Sequence, residues 1–557
     1  MIISPSEVVR GEVLDADVVV VGAGAAGIPL SLELAAAGLQ VLLVEGGGEK
    51  VEARNQALYA GTVRNPMLHP PADKYRHRRL GGTTGVWGGR CVPFDPLDTK
   101  PREYIPHSGW PIPFEEVEKY YPAANEWLEA GVYQYSSSKV FLDGVSPMFG
   151  GFESEIVSID SLERFSRPTD LYKRYKARLK VSKNLRLIYG ANCTNISLSA
   201  SGSAVEHLDV LVLDGKNFSV RGKYYVLATG GIETARLLLA SGDVQAGIGN
   251  ENDVVGRYYM CHIAGNVGQL KLYGANTDVR HGYEVSPEGV YCRRRISLTE
   301  SEQRRRQVNN VTLRLHFPRI ADPAHKSGVL SLIYMLKPFV SYEYATRLRD
   351  STGDTIRSTL LHLKNILSSP LEITRFLFMW TIKRILASRK FPSIILENTT
   401  NTFSLEVHGE QCPNSESRVY LSDEKDELGM PRAIIDWRYE QQDILSAKAT
   451  LEAFGEELER QNLGSLHFDV ESLEEELLRF GAYGGHHMGT ARMGTDPRTS
   501  VVDRNCKVHS VSNLFISGSA VFPTSSQANP TLTITALALR LAEHIAGLPK
   551  EMPPGGA

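Results

Sequence analysis

The sequence predicts an α/β protein built around a parallel sheet that is assembled from separated stretches of the chain. Residues 17–21 form an apolar run that is followed at once by a glycine-rich turn and a helical pattern. A second strand, glycine turn and helix occur over residues 223–240, and a third apolar run ends in glycine within residues 513–519. Short runs of this kind are typical of strands buried on both faces of a parallel sheet.

The first of these units contains a dinucleotide fingerprint. Gly22-Ala23-Gly24-Ala25-Ala26-Gly27 matches G-x-G-x-x-G, residues 28–37 have a helical pattern, and Glu45 ends the second strand over residues 40–44. The glycines allow a tight turn and a close approach to pyrophosphate, whose charge the helix N-terminus meets. An acidic residue about 20 positions further on is placed to accept hydrogen bonds from ribose hydroxyls. Because all the parts occur in order, a bound dinucleotide is favoured over a plain glycine turn.

Glycine is also dense in Leu80-Gly81-Gly82-Thr83-Thr84-Gly85-Val86-Trp87-Gly88-Gly89-Arg90. Such a backbone passes close to a ligand or adopts unusual dihedral angles. Solvent loops are usually rich in Asp, Asn or Ser, and this stretch contains none of them. Close approach to a ligand is therefore favoured over an ordinary surface loop.

Length and composition indicate a large globular protein. The chain has 557 residues, enough for two or more domains, and a net charge of −3, which gives no reason to expect a nucleic-acid partner. Six cysteines are scattered without C-x-x-C spacing, which argues against a zinc site or a disulfide scaffold and fits a reducing compartment. The N-terminus has neither the basic nor the apolar region of a secretory signal, so a cytoplasmic location is the default expectation.

Near the C-terminus, His486-His487-Met488-Gly489-Thr490 precedes Ala528-Asn529-Pro530-Thr531 by about forty residues. Adjacent histidines on an extended segment point to opposite sides, so only one of them is expected to face a given site. No further ligands lie at zinc-like spacing, and we predict no metal here.

Together these motifs resemble the glucose-methanol-choline (GMC) family of FAD-dependent oxidoreductases, on the side of pyranose oxidase, fructose dehydrogenase and glucoside 3-dehydrogenase. The carrying segments are the fingerprint with Glu45, the Gly81–Gly89 loop, Ser108-Gly109-Trp110-Pro111-Ile112, Ala228-Thr229-Gly230-Gly231, Val255-Gly256-Arg257 and residues 485–545. The resemblance is weakest over residues 265–400, where such enzymes would differ in substrate.

The resemblance implies a discontinuous Rossmann-type FAD-binding domain and a substrate domain with an antiparallel sheet and helices. We assign residues 1–100, 185–262 and 481–550 to the FAD domain, and residues 101–184 and 263–480 to the substrate domain. The cofactor-binding residues it implies are Gly22, Gly24, Gly27, Glu45, Gly81, Gly82, Thr83, Val86, Trp87, Cys193, Ala228, Gly230, Gly518, Ser519, Asn529, Pro530 and Thr531. Val86 stands where pyranose oxidases have the histidine that attaches to the flavin, so we predict non-covalent FAD.

By the same resemblance, His486 matches the catalytic histidine and Asn529 its partner. Alcohol oxidation removes a proton from oxygen and a hydride from carbon, and the flavin accepts the hydride at N5. A neutral imidazole suits the proton transfer, while an amide can only hydrogen-bond and align the hydroxyl. The predicted reaction is oxidation of a secondary alcohol on a sugar or glycoside ring to a ketone.

Several alternatives stay open at the level of sequence. The same chemistry could act on a non-sugar alcohol, or the chain could be a non-catalytic, flavin-stabilised subunit. Oxygen, a quinone and a cytochrome partner are all compatible as electron acceptor, and either a homo-oligomer or a partner subunit is compatible with the chain.

Other residues have less specific expectations. Arg257 and His262 are expected to be structural, His408 and Gln411 to lie on the surface more than in the pocket, and Arg293–Arg295 and Arg304–Arg306 to be solvated. Residues 417–421 and 433–437 are expected to pair as strands of the substrate domain.

Residues 355–390 have a basic, amphipathic helical pattern that Pro370 divides into two helices. The segment has too many charges to span a bilayer. A covering layer or an oligomer contact is favoured over a membrane surface.

Overall fold

The computed structural model describes residues 1–142, 147–242, 247–274, 279–317, 319–339, 348, 355–394, 396 and 400–549. The strands are β1 Ile2–Ile3, β2 Val13–Val21, β3 Val41–Glu45, β4 Thr62–Val63, β5 Arg90–Cys91, β6 Val157–Phe165, β7 Leu185–Tyr189, β8 Asn192–Leu198, β9 Val205–Leu211, β10 Asn217–Leu227, β11 Ile263–Leu272, β12 Glu284–Val285, β13 Tyr291–Leu298, β14 Val311–His316, β15 Thr402–Gly409, β16 Arg418–Lys425, β17 Pro431–Asp436, β18 Gly464–His467 and β19 Leu514–Ile516.

The α-helices are α1 Gly27–Ala36, α2 Ala53–Gln56, α3 Pro96–Thr99, α4 Phe114–Glu118, α5 Tyr121–Trp127, α6 Ser137–Val140, α7 Leu171–Val181, α8 Gly231–Ala240, α9 Glu300–Arg306, α10 Gly328–Met335, α11 Ile356–Ser368, α12 Pro370–Trp380, α13 Gln441–Arg460, α14 Leu473–Leu478 and α15 Thr531–Ala546. A π-helix, Thr381–Leu386, continues α12, and 3₁₀ turns include Gly82–Gly85, Tyr483–Gly485 and Ser519–Val521.

The first sheet has the order β1-β7-β3-β2-β10-β9-β8, with β19 paired to β10. Its central strands pair in parallel, as predicted from their apolar runs, whereas β8 and β9 are antiparallel additions. Helices α1 and α15 pack against each other beside this sheet. Its strands come from the three stretches assigned to the FAD domain, so the prediction of a sheet built from separated segments is confirmed. The domain boundaries themselves stay a prediction.

The second sheet is antiparallel and has the order β18-β11-β15-β14-β13-β6-β5, with β12 paired to β13. This confirms the expected antiparallel sheet. The predicted pairing around residues 417–436 is also confirmed, because β16 and β17 pair antiparallel. They do not join the large sheet, however. They form a three-stranded sheet with β4, from the N-terminal part of the chain.

Pro370 is the first residue of α12, directly after α11, which confirms the predicted division. Proline is tolerated there because the first turn of a helix leaves its N–H groups unpaired in any case. Among the described residues, we find no helix that combines the length and the apolarity needed to cross a membrane.

Candidate active site and cofactor cleft

A cavity of about 1030 Å³ is lined by residues of both large sheets. Its walls include Gly22 and Glu45 from the first sheet and Arg293 and Glu406 from the second. A space of this size is at the upper end of what ligand sites enclose and is large enough for a bulky cofactor. The cavity therefore brings the predicted cofactor motif and the predicted substrate domain together.

The glycines of the fingerprint have two different roles. Two of them allow close packing of the backbone, and the third leaves space in the cavity for a ligand. A Cβ on Gly22 would lie 2.5 Å from the carbonyl oxygen of Ala228, and one on Gly27 would overlap the carbonyl oxygen of Gly22. At Gly24, by contrast, a Cβ would meet nothing within 4 Å. Gly22 and Gly27 thus hold strand and helix together, while Gly24 leaves the cavity wall open to a ligand.

Glu45 is buried at the end of β3, beside the fingerprint turn. Its Oε2 accepts a hydrogen bond from the Ala23 amide at 2.8 Å, and its Oε1 accepts one from Gly47 at 2.7 Å. Burial raises the pKa of this carboxyl, although the backbone hydrogen bonds oppose that effect. Each oxygen keeps a second lone pair, so the side chain can also accept from ligand hydroxyls.

Most of the residues predicted to bind cofactor lie on the cavity wall. They are Gly22, Gly24, Glu45, Gly82, Thr83, Val86, Trp87, Cys193, Ala228, Gly230, Gly518, Ser519, Asn529, Pro530 and Thr531. Gly27 and Gly81 are not on the wall: Gly27 packs against the turn, and Gly81 faces Asp170 and Tyr172. Both glycines therefore pack against the segments that form the wall and do not face the cavity themselves.

The N-terminus of α15 also opens onto the cavity, at Pro530 and Thr531. The first N–H groups of a helix have no partner within the helix, and the helix dipole adds partial positive charge there. Asn529 directly precedes this turn. Its side chain is thereby placed at the end of the helix that is best suited to an electron-rich ligand.

His486 enters the cavity from the 3₁₀ turn Tyr483–Gly485. Gly484 and Gly485 have φ values of 77° and 65°, which side-chain-bearing residues rarely adopt. A Cβ on Gly484 would lie 2.9 Å from Cε1 of the His486 ring. The turn therefore needs glycine both for its backbone and for the position of the imidazole.

A chain of hydrogen bonds fixes the tautomer of His486. His262 Nε2 lies 3.0 Å from the carbonyl oxygen of Ser526, which can only accept, so this nitrogen carries a hydrogen. Burial lowers the pKa of His262 to about 3, so its ring is neutral and its Nδ1 accepts. His486 Nδ1 lies 2.8 Å from that atom and must donate to it. Nε2 of His486 is therefore left without a hydrogen.

The contact at Nε2, the second ring nitrogen of His486, indicates the same tautomer. Asn529 Nδ2 lies 3.1 Å from His486 Nε2, and an amide nitrogen can only donate. Two independent contacts thus place a lone pair on His486 Nε2. The imidazole and the amide share one edge of the cavity.

His487 points to a different set of partners. His69 Nδ1 donates to the Pro70 carbonyl oxygen at 2.6 Å, so its Nε2 accepts from the Tyr259 hydroxyl at 2.8 Å. The Tyr259 oxygen then accepts from His487 Nδ1 at 2.5 Å. His487 Nε2 is left as a buried acceptor at the cavity wall, and none of the described residues donates to it.

A row of charged side chains crosses the second sheet, and we call it the charged row. It consists of Arg90 on β5, Glu163 on β6, Arg293 on β13, Arg314 on β14 and Glu406 on β15. Arg293 lies opposite Glu163 and Arg314 opposite Glu406 in the strand register. Arg314 contacts Glu163 at 2.8 Å and Glu406 at 3.2 Å. Directly opposed residues share one face of a sheet, so the charges form a continuous strip.

The two carboxylates of the charged row, Glu163 and Glu406, stay ionised although they are buried. Burial raises the pKa of Glu406, but the guanidinium of Arg314, supported by His316, Arg90 and Arg293, outweighs it and holds the pKa well below its usual range. Burial also opposes ionisation of Glu163, yet Arg314 leads the arginines that lower its pKa. Arg90, Arg293 and Glu406 line the cavity.

Two groups of residues have atoms close enough to suggest a shared metal: His262, His408 and His486, and His69, Cys261 and His487. In the first, His262 Nδ1 and His486 Nδ1 are 2.8 Å apart, whereas two nitrogens on one tetrahedral zinc are roughly 3.3 Å apart. In the second, burial raises the pKa of Cys261 to about 12, which disfavours a thiolate ligand. Hydrogen bonding accounts for both groups better than an ion.

Comparison with known proteins agrees with this geometry. Residues 413–538 match the family model "GMC oxidoreductase", and residues 16–260 match "Pyridine nucleotide-disulphide oxidoreductase". The chain is 24% identical to the fructose dehydrogenase large subunit of Gluconobacter japonicus, over 96% of this chain and 98% of that protein. It is 24% identical to paromamine 6'-oxidase of Streptomyces fradiae, over 95% of this chain and 91% of that protein. The chain therefore resembles GMC oxidoreductases, most directly over residues 413–538.

Among solved structures, pyridoxine 4-oxidase from Mesorbium loti aligns with a TM-score of 0.54 at 17% identity, covering 95% of this chain and 98% of that one. This likeness supports the GMC fold. The protein is accordingly an FAD-dependent alcohol oxidoreductase.

The residues that line the cavity fit FAD. The positions where Gly24, Gly230 and Gly518 would carry a Cβ are open, Glu45 has spare acceptor capacity, and His487 Nε2 is a buried acceptor at the wall. Val86 also lines the cavity and has no nucleophilic atom, in keeping with a cofactor held without a covalent bond at this position.

Two expectations about individual residues were wrong. His408 and Gln411 are buried, not on the surface, and Arg293–Arg295 are buried, not solvated. His262, expected to be structural, contacts the His486 ring directly. Arg304 and Arg305 are exposed, as expected. A clue existed in the alternation of Glu406 and His408 with apolar residues along β15, but such alternation does not say which face is buried.

His408 joins His486, His262 and Asn529 from the sheet side, and we call these four residues the histidine group. Its Nδ1 donates to the Gln527 carbonyl oxygen at 2.6 Å, and its ring lies 4.4 Å from the His262 ring, centre to centre. Burial lowers the pKa of His408 well below its ordinary value. The Ser526–Gln527 backbone thus holds two neutral imidazoles behind His486, just before Asn529.

Proposed function

We propose that this protein is a GMC-type enzyme that oxidises a secondary alcohol on a sugar or glycoside ring to a ketone, with His486 as the base. The observation that carries the proposal is the pair formed by the unprotonated Nε2 of His486 and the Nδ2 of Asn529, 3.1 Å apart at the cavity wall. When bound, FAD supplies the hydride acceptor. The protein has to supply alignment and proton transfer.

The two side chains have complementary roles toward one hydroxyl group. The substrate O–H takes the place of the Asn529 amide as the donor to His486 Nε2, while the substrate oxygen accepts from Asn529 Nδ2. These two contacts fix the oxygen and so direct the neighbouring C–H bond. As the proton moves to Nε2, the imidazole becomes cationic and keeps its Nδ1 hydrogen bond to His262. Holding such a near-attack geometry and providing a positioned base are both large contributors to enzymatic rates.

His262 is a positioning residue in this scheme, because it acts through His486. Its neutral ring can accept from His486 Nδ1 only while the Ser526 carbonyl keeps the hydrogen on His262 Nε2. The same arrangement stabilises the imidazolium that forms when His486 takes the proton. Support from outside the first contact is typical of well-organised catalytic groups.

The charged row is an argument for a substrate with several hydroxyl groups. Arg90 and Arg293 present donors to the cavity and Glu406 presents acceptors. Arg293 Nε is buried and lacks a hydrogen-bond partner among the described residues. A sugar ring carries several hydroxyls that can satisfy such groups, whereas a simple alcohol leaves them unpaired, at a large cost in binding. The two relatives, a fructose dehydrogenase large subunit and paromamine 6'-oxidase, agree with this class by their names.

The test is an anaerobic titration of the purified holoenzyme with free sugars, glycosides and simple alcohols, followed by flavin absorbance. We expect a pyranoside to bleach the flavin band and simple alcohols to leave it unchanged. Bleaching by simple alcohols alone would favour the same chemistry on a non-sugar substrate. No bleaching by any compound, in a protein that holds FAD, would favour a non-catalytic subunit.

The variant Arg293→Met sharpens the substrate class. It removes one charge of the row and touches neither His486 nor Asn529. If the row binds hydroxyls, this change raises KM for the pyranoside and leaves the limiting rate of flavin reduction within a few fold. An unchanged KM would remove the argument for sugars from the charged row.

A further inference from the structure

Helix α11 has its polar residues inside and its apolar residues outside. The buried side chains of the helix are His362 and Asn365. His362 Nδ1 is 3.0 Å from Ser331 Oγ, and Asn365 donates to the Pro323 carbonyl oxygen at 2.9 Å. The exposed large apolar side chains are Ile356, Leu360, Leu361, Leu363 and Leu367. A helix of a water-facing surface normally shows the opposite arrangement.

The exposed apolar surface continues along the next helices. On α12 and the π-helix it consists of Leu371, Leu377, Phe378, Met379, Ile382, Ile385 and Leu386. Leu367 is 81% exposed, Leu371 84% and Phe378 67%. Neither α12 nor the π-helix buries any residue fully. Exposed apolar side chains in this number on consecutive helices indicate a site of interaction. We call residues 355–390 the helical platform.

The platform also carries a strong excess of positive charge. Its exposed basic residues are Arg357, Lys364, Arg375, Lys383 and Lys390. Across residues 355–390 the only acidic residue is Glu372, which binds Ser327 and Gly328. The whole chain, by contrast, has a net charge of −3. The positive charge is therefore concentrated on the same surface as the exposed apolar side chains.

We propose that the helical platform docks on the surface of an anionic phospholipid bilayer. A helix with an apolar stripe and flanking Lys and Arg lies in the interface plane, with its apolar side chains below the headgroups. Basic residues near such a surface are attracted by anionic lipids. A second copy of this chain is a poorer occupant, because joining two platforms would bring their positive charges together.

The platform adjoins the flavin cavity. Leu371, Arg375, Phe376 and Met379 of α12 are among the residues that line that cavity. Docking of the platform therefore places this part of the cavity lining at the membrane surface. The inference does not depend on the proposed function, because binding to a bilayer can be measured without turnover.

The test is co-sedimentation of the full-length holoenzyme with vesicles of phosphatidylcholine, with and without phosphatidylglycerol. We expect binding to the anionic vesicles, release by added salt, and little binding to phosphatidylcholine alone. The variant Leu367→Gln/Phe378→Gln/Ile385→Gln removes exposed apolar side chains that do not line the cavity. It should reduce binding by about a hundredfold. Lys364→Gln/Lys383→Gln should reduce it by about tenfold or more.

Matched controls come from other exposed surfaces. Met67→Gln/Val181→Gln and Lys50→Gln/Lys180→Gln change exposed residues away from the platform and should bind like the parent. Equal binding to both kinds of vesicle, no binding to either, or equal losses in controls and platform variants would each overturn the proposal. So would a platform variant that only shifts the oligomeric state, since that outcome would assign the surface to a second copy.

Discussion

The two walls of the flavin cavity are built in different ways. On the cofactor wall, backbone groups face the cavity, because glycines leave them uncovered or because they begin a helix. This wall consists of the Gly22–Gly27 turn, the Gly82–Gly85 turn and the N-terminus of α15. The opposite wall uses ionised side chains, and the members of the charged row come from five neighbouring strands. One wall is thus organised by local sequence and the other by strand register.

This difference affects how each wall tolerates change. A glycine turn fails when a side chain is added, whereas a row of buried charges fails when one charge is removed. The histidine group lies between the two walls and takes one element from each: Asn529 from the cofactor side and His408 from the sheet. The following predictions separate these contributions.

The largest effect is expected at the junction of the walls. His486→Ala removes the lone pair that accepts the substrate proton, so flavin reduction should slow by roughly 10²–10⁴-fold while FAD stays bound. Stopped-flow absorbance with the best substrate measures the rate, and the flavin spectrum measures retained cofactor. A normal rate in this variant, combined with a comparable loss in His487→Ala, would transfer the role to His487.

The next effect concerns stability of the sheet wall. Arg314→Met leaves Glu163 and Glu406 buried with less compensating charge, and should lower the free energy of unfolding by about 3–5 kcal/mol. Urea unfolding followed by fluorescence measures it. As a control, Arg498→Met breaks only the exposed pair with Asp496 and should leave the midpoint unchanged. A stable Arg314→Met protein would show that the charged row contributes little to folding.

A smaller loss in the rate of flavin reduction is expected when His262, which contacts His486, is replaced. His262→Leu removes the acceptor for His486 Nδ1, so the wrong tautomer becomes populated and flavin reduction should slow by roughly 10- to 100-fold. His262→Gln keeps an oxygen that can accept the same hydrogen and should recover part of the rate. The pH profile of the reduction rate distinguishes the two variants. Equal losses in both would indicate that His262 only fills space.

The smallest effect is the response to acid, and the two walls should respond with opposite sign. The pKa of Glu406 is depressed in the folded state, so its contribution is complete above its ordinary pKa of 4.5 and is lost as pH falls further. The pKa of Glu45 is raised, so protonation favours the folded form as pH falls.

Urea midpoints measured as a function of pH test this contrast. Glu406→Gln should flatten the loss of stability on the acid side, since it removes a group whose folded state favours the charged form. An acid response identical to that of the parent protein would mean that other carboxylates control it.

Much of the cofactor wall could be predicted from the sequence because its signals are local. In four segments the local structure can be predicted from a few neighbouring residues. These are the Gly22–Gly27 fingerprint, Glu45, the Gly81–Gly89 loop and the strand before Gly518. Glycine at a forced turn and an apolar run in a parallel sheet have few alternative explanations. The division of residues 355–390 at Pro370 was predictable for the same reason.

The rest could not be predicted because it depends on which segments meet. Arg293 looks like part of a solvated basic run until β6 places Glu163 opposite it and β15 brings Glu406 near. The exposed side of α11 is likewise set by the polar contacts of His362 and Asn365 with other segments. Which distant segments will pair cannot be recognised from the residues around either of them.

By itself, the sequence determined the fold class and predicted the dinucleotide site, because short-range steric rules and motif spacing specify them. The choice of His486 and Asn529 stays a prediction that the resemblance to GMC enzymes implies. The tertiary structure alone decided the tautomer of His486, the position of His262 and the outward direction of the apolar platform. The contacts of His486 join residues that are far apart in the sequence, by 43 positions for Asn529 and His486 and by 224 for His262 and His486, and only folding brings their atoms within reach.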